Sequence, residues 1–138
     1  MRRYLAEARH LVAERGYVET ILGRRRYFPQ LVRGGKAASE VARARAEREA
    51  VNAPIQGTAA DIIKRAMLQL PSALDRAGLR ARMLLQVHDE LVFDCPEPEV
   101  QRAARLIQEV MQGAANLRVA LKTEAKVGRN WAEMDSPV

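Results

Sequence analysis

Apolar residues recur along the chain with two periods, and the switches between those periods divide it into elements. From Arg2 to Arg15, Leu5, Ala8, Leu11 and Val12 fall on one helical stripe, and Gly16 stands where a helix stops. No capping residue precedes Arg2, so this helical pattern is expected to continue one that begins upstream. "GYVETILGRRRYFP" predicts a β-hairpin: Tyr17 to Ile21 and Arg26 to Phe28 are strand-like, Gly23 supplies the turn and Pro29 ends it. "VRGGKAASE" has loop composition, and from about Ala38 to Asn52 an Ala-rich, charged helix follows, with Val41 and Val51 as its large apolar residues.

The strongest amphipathic signal lies in "APIQGTAADIIKRAMLQLPSALDRAG", where Ile55, Ala59, Ile62, Ile63, Ala66, Met67, Leu70 and Leu74 repeat at helical spacing. Thr58 and Asp61 resemble a capping box, Pro71 is expected to kink or divide the helix, and Gly78 to stop it. "ARMLLQVHDELVFDCP" predicts a second hairpin, with strands Arg82 to Val87 and Leu91 to Asp94 and a turn at His88-Asp89-Glu90. A third helix carries Val100, Ala103, Ala104, Ile107, Val110, Met111 and Ala114. "VALKTEAKVG" alternates as a final strand, and Trp131 is expected to anchor the tail. Adjacent antiparallel strands separated by helices predict an α+β fold, one antiparallel sheet covered by helices on one face. At 138 residues, with no repeat, low-complexity tract or Gly/Ser linker, the chain is expected to form one domain.

Composition refines this picture in three ways. Apolar residues make up 48% but aromatic ones only 4%, so Leu, Val, Ile and Ala build the core. A formal charge of +6 favours polyanions such as nucleic acid, although a basic soluble surface without a partner gives the same number. Cys95 is the only cysteine, which rules out an internal disulfide and fits a reducing, intracellular compartment; no export signal or membrane-length apolar run occurs.

Two adjacent acids interrupt the apolar run of the second hairpin. Asp89 and Glu90 at a turn without glycine break local turn chemistry, and such breaks mark candidate functional sites. Carboxylates at a rigid strand end suit Mg²⁺; the alternative is an exposed polar turn that faces only water. Arg24, Arg25 and Arg26 in "GRRRY" suit phosphate oxygens or form a solvated basic turn. Asn52 and Gln56 in "NAPIQG", at a helix entrance, suit base edges or act as caps.

Taken together, these segments resemble one family. "QVHDELV" at 86 to 92 is similar to motif C of family A DNA polymerases, the bacterial DNA polymerase I group. "GYVETILGRRRYFP" at 16 to 29, "NAPIQGTAADIIKRAM" at 52 to 67 and "VGRNWAEM" at 127 to 134 resemble that family's C-terminal palm region, in the same order. The Gly pair and arginine density of "VRGGKAASEVARARAEREA" depart from the family pattern.

The resemblance implies a partial polymerase palm, an α+β fold built around a motif C β-hairpin. It implies that Asp89 holds catalytic Mg²⁺, with Glu90 as a lesser metal-site partner. His88 and Gln56 match residues at the minor groove of the primer terminus, Asn52 matches a nearby duplex contact, and Arg24 and Arg25 fall near the DNA backbone. The implied partners are primer-template DNA and, in the intact enzyme, a deoxynucleoside triphosphate. The family's second essential aspartate, in a segment resembling "DYSQIELR", and its basic fingers helix do not occur here. The chain alone is therefore expected to be inactive, and to self-associate through an open sheet edge. Two rival readings are a non-catalytic duplex-binding module, and a small metal-dependent nuclease centred on Asp89 and Glu90.

Overall fold

The computed structural model describes residues 2–37 and 39–135. Its elements run α1 (Arg2–Arg15), β1 (Tyr17–Glu19), β2 (Arg25–Tyr27), α2 (Glu40–Arg76), β3 (Arg82–Val87), β4 (Glu90–Asp94), α3 (Val100–Gln112), β5 (Val127–Asn130) and β6 (Glu133–Asp135), with 3₁₀ turns at Pro29–Leu31 and Glu97–Glu99. The class is α+β, as expected. The strands pair as three antiparallel ribbons, β1–β2, β3–β4 and β5–β6, and no wider sheet forms among the described residues. The chain divides within α2 into two compact units, residues 1–61 and 62–138.

In the first unit, α1 ends at Gly16, whose N–H donates to the Val12 carbonyl at 2.9 Å. Positive φ there turns the chain directly into β1. The ribbon pairs Tyr17 with Tyr27, Val18 with Arg26 and Glu19 with Arg25. Its core joins Val12, Val18, Phe28 and Leu31 to Ala46, Ala50 and Ala53 of α2. The alanines let α2 approach closely where larger residues would hold it off. Tyr4 on α1 donates to the Val51 carbonyl at 2.9 Å, and its burial pushes the phenol pKa up.

Sequence periodicity divided residues 38–78 into two helices; the structure has one. Ala38, the expected start, lies outside the described residues, and Ser39 caps α2 by accepting the Ala42 N–H at 3.1 Å. The helix then runs 37 residues through Pro54 and Pro71. An interior proline costs about 3 kcal/mol. Burying Leu70 and Leu74 on either side of Pro71 returns about 2 kcal/mol each, so packing outweighs the local signal. Thr58 and Asp61 consequently cap nothing, since they lie well inside the helix. Gly78 does stop α2: its N–H donates to the Asp75 carbonyl and that of Leu79 to Leu74, with Leu74 and Leu79 buried together.

In the second unit, one face of the β3–β4 ribbon is covered by helices. Met83, Leu91 and Phe93 pack against Ala66 and Leu70 of α2, Ile107, Val110 and Met111 of α3, and Ala114. The register is Arg82 with Asp94, Met83 with Phe93, Leu85 with Val92, Gln86 with Leu91 and Val87 with Glu90. A bulge leaves Leu84 unpaired, and Leu84 and Leu85 remain 59% and 43% exposed. Glu99 secures the base of the ribbon, accepting both the Arg80 backbone N–H at 2.6 Å and Arg80 Nε at 2.8 Å. Those bonds hold its carboxyl below the usual range. Partial burial, with Glu99 and Asp94 nearby, pushes the Cys95 thiol up.

Two expectations at the C-terminal end are corrected. Residues 119–126 form no strand; only Val127–Asn130 does, paired with Glu133–Asp135. Burial nevertheless alternates, with Leu121, Thr123, Ala125 and Val127 half-buried between exposed neighbours, while Gln108 and Gln112 of α3 donate to the Thr123 carbonyl and hydroxyl. The pattern is that of a strand, but no backbone partner reaches it among the described residues. Trp131 is not an anchor: it sits at the β5–β6 turn, 52% exposed.

Candidate nucleic-acid interface

The turn between β1 and β2 is fastened to α2 by side chains rather than by a sheet. Asp61 accepts the Thr20 hydroxyl at 2.6 Å and Arg24 Nε at 2.7 Å, and Arg24 Nη2 also donates to the Gly57 carbonyl at 2.8 Å. The Ile21 N–H donates to the Thr58 hydroxyl at 3.1 Å. Within the turn, Gly23 at φ 85° donates to the Thr20 carbonyl, and the Arg24 N–H to the Thr20 hydroxyl. Asp61 was expected as part of a helix cap; it is instead the hub of this junction.

Between ribbon and helix lies a cavity of about 240 Å³ whose walls include Arg24, Arg25, Arg26, Pro54 and Gln56. In sequence the consecutive arginines fit either phosphate contacts or a solvated basic turn. Each has a carboxylate partner: Arg24 with Asp61, Arg25 with Glu19 at 2.8 Å and Arg26 with Glu49 at 2.7 Å. The Glu19 hydrogen bond raises the Arg25 pKa still further. Arg25 also stacks 4.6 Å from the Tyr17 ring centroid, and Arg26 lies 5.2 Å from that of Phe28. A guanidinium has five N–H donors, so these pairs orient Arg25 and Arg26 and leave donors toward solvent. Arg24 differs, because its fork is turned inward onto Asp61 and the Gly57 carbonyl.

Asn52 and Gln56 stand inside α2, not at its entrance, which removes the capping alternative. Both are exposed, and among the described residues neither side-chain amide has a hydrogen-bond partner. Arg48, which sequence reasoning did not single out, completes their row. Residues 48, 52 and 56 are spaced four apart, so they share one helix stripe, and Arg48 is exposed with no carboxylate partner among the described residues. That spacing was visible in the sequence, but only on the understanding that residues 40–76 form one helix.

At the far end of β3 the turn is shorter than expected. Glu90 already pairs with Val87 in the ribbon, which leaves His88 and Asp89 as the two-residue turn. His88 takes φ 54°, a conformation that favours glycine, and its carbonyl accepts Gln86 Nε2 at 2.8 Å. Strain of this kind clusters at functional sites. His88, Asp89 and Glu90 are all exposed, and neither acid forms an ion pair among the described residues. Among the described residues they form no group of three or more His, Cys, Asp or Glu able to hold a metal ion. A hard divalent cation takes about six oxygens, so these acids alone do not build a metal centre.

Comparison with known proteins gives the family of the chain. The model of DNA polymerase family A matches residues 1–133. The DNA polymerase I of Chloroflexus aurantiacus is 50% identical over 97% of this chain, and that of Pseudomonas aeruginosa 48% identical over 94%. In each case the chain spans 14% of the relative's length. A solved structure of the POL domain of Pol1 from M. smegmatis, in complex with DNA primer-template and dNTP, superposes with a TM-score of 0.80 at 47% identity. It covers 88% of this chain, which spans 21% of that one. A family match across nearly all of the sequence, with close relatives of one kind, has one meaning: the chain belongs to DNA polymerase family A.

Proposed function

We propose that residues 1–138 form a C-terminal palm portion of a template-directed DNA polymerase, the part that grips the primer-template duplex and supplies one carboxylate of the metal clamp. One observation carries the duplex-binding half: Asn52 and Gln56 expose free amides in line with Arg48 on a single helix stripe. Amides both donate and accept, which suits the acceptors of a minor groove, and a guanidinium on the same stripe suits the flanking phosphate. The related Pol1 structure, solved with primer-template and dNTP, supports the same partners here. Arg25 and Arg26 contribute phosphate contacts from the adjoining cavity, and His88 reads the primer terminus.

In this reading Asp89 is the principal Mg²⁺ ligand and Glu90 a lesser one. The metal site is completed by an acid that these residues do not contain. When bound, the ions stabilise the attacking and leaving oxygens of phosphoryl transfer. The chain's own part is to hold Asp89 at a rigid ribbon tip. An intracellular parent protein is part of this reading, as the lone cysteine favours; no helix among the described residues is long and apolar enough to cross a membrane. Leu84 and Leu85 on the uncovered face of β3–β4 support self-association of the isolated chain, and light scattering at high concentration is expected to give a mass above 15.4 kDa.

The test is affinity for a labelled primer-template duplex. Gln56→Ala combined with Asn52→Ala is expected to weaken binding by about thirtyfold, since each of the two lost base-edge contacts is worth about 1 kcal/mol. Its salt slope stays unchanged, because amides neutralise no phosphate. Arg48→Ala lowers both affinity and slope. Unchanged affinity in all of these variants rejects the reading. The isolated chain is expected to show no primer extension.

A further inference from the structure

We infer that Asp61 is a positioning residue for duplex binding: by gripping Thr20 and Arg24 it sets the β1–β2 ribbon, and with it Arg25 and Arg26, against the α2 stripe of Arg48, Asn52 and Gln56. The inference rests on the duplex-binding reading above. Arg25 and Arg26 belong to a three-residue strand paired only with another three-residue strand, too short a ribbon to hold its own position. Its turn must be held from outside, and the bonds that hold it converge on α2. The Asp61 side chain is only 11% exposed, whereas that of Arg24 is 53% exposed, so the junction is anchored from the helix side. One carboxylate oxygen takes the Thr20 hydroxyl and the other Arg24 Nε.

Gly57 supports this arrangement from the same helix. A Cβ there would stand 2.6 Å from Thr20 Cγ2, closer than non-bonded atoms approach, and a tight 3.2 Å from Arg24 Nη2. Thr20 is branched at Cβ and cannot swing its methyl aside freely. Gly57 and Asp61 lie one helical turn apart, so together they form the seat into which the Thr20–Arg24 turn fits. The arrangement gives a part-buried acid a role that aids binding of a polyanion, opposite to what its charge alone dictates.

That opposition is the basis of the test. Asp61→Ala raises the net charge by one unit, and simple electrostatics then predicts tighter duplex binding. Positioning predicts the reverse. Anisotropy titrations of the 138-residue chain against a labelled primer-template duplex are expected to show about tenfold weaker binding for Asp61→Ala, a difference of about 1.4 kcal/mol. Asp61→Asn, which keeps the shape and an acceptor, recovers affinity to within about threefold of wild type. Gly57→Ala, which changes no charge, weakens binding as Asp61→Ala does. Amide exchange adds a readout independent of DNA: the Ile21 and Arg24 N–H groups exchange faster in Asp61→Ala.

Binding by Asp61→Ala as tight as wild type or tighter, with its far-UV spectrum intact, overturns the proposal. If Asp61→Ala loses helicity, Gly57→Ala and Thr20→Val decide instead, and wild-type affinity in both overturns it. Absence of wild-type binding at every salt concentration rejects the duplex-binding reading itself; exchange at Ile21 and Arg24 then decides whether Asp61 holds the ribbon.

Discussion

The β1–β2 and β3–β4 turns are solved by opposite means. The first has glycine at its positive-φ position; its Thr20 and Arg24 side chains are tied to Asp61 and the Gly57 carbonyl, and its Ile21 N–H to the Thr58 hydroxyl. The second places a histidine in the left-handed region and leaves two carboxylates without ion-pair partners among the described residues. One turn is locally relaxed and held by its surroundings; the other is locally strained and chemically open. On the function proposed above, the difference separates a part that positions from a part that reacts. A carboxylate gripped by a guanidinium and a hydroxyl is committed to structure, whereas Asp89 remains available to a cation.

Substitutions that exchange these properties test the contrast. The largest effect is expected at Asp89. In a polymerase carrying this segment, Asp89→Asn is expected to lower the primer-extension rate about a thousandfold, the kinetic equivalent of about 4 kcal/mol. Duplex affinity stays near wild type, and rate loss accompanied by an equal affinity loss would assign Asp89 to binding. The two turns come next. Gly23→Ala forces a Cβ into left-handed backbone with open space around it, so the cost is backbone strain alone, about 1–2 kcal/mol of unfolding free energy in urea. His88→Gly relieves strain of the same kind and is expected to stabilise by up to about 1 kcal/mol while slowing extension. Destabilisation by His88→Gly would show that the histidine side chain, not backbone relief, dominates there.

The smallest effect is one of pH. Because Arg80 lowers the folded-state pKa of Glu99, its stabilisation is fully present above the ordinary glutamate range and disappears as the pH falls through the folded value. Urea midpoints measured from neutral pH downward are expected to decline less steeply for Glu99→Gln. An identical decline would place the acid-sensitive group elsewhere.

Much of this fold was legible because its signals are local. Gly16 and Gly78 ended helices where expected, and both hairpins were found from alternation and turn residues, to within about two residues. What misled was equally local. Pro54, Thr58 and Asp61 reproduce the chemistry of a helix start, and only burial along α2 shows that the helix passes through them. The ion pairs of Arg24 and Arg26 could not be foreseen, since their partners lie 37 and 23 residues away and no pattern links them. In residues 119–126 the alternation predicts a strand; burial does alternate from Leu121 onward, but a strand also requires a neighbour, which alternation cannot report.

The placement of Trp131 has a practical consequence for spectroscopy. It is the sole tryptophan, and it sits half-exposed at the turn between β5 and β6. Its emission will report the C-terminal tail, and a fluorescence-monitored melt can therefore reach its plateau while the helix that runs through Asp61 is still intact. Ellipticity at 222 nm, dominated by the long central helix, is the signal that follows the rest of the chain.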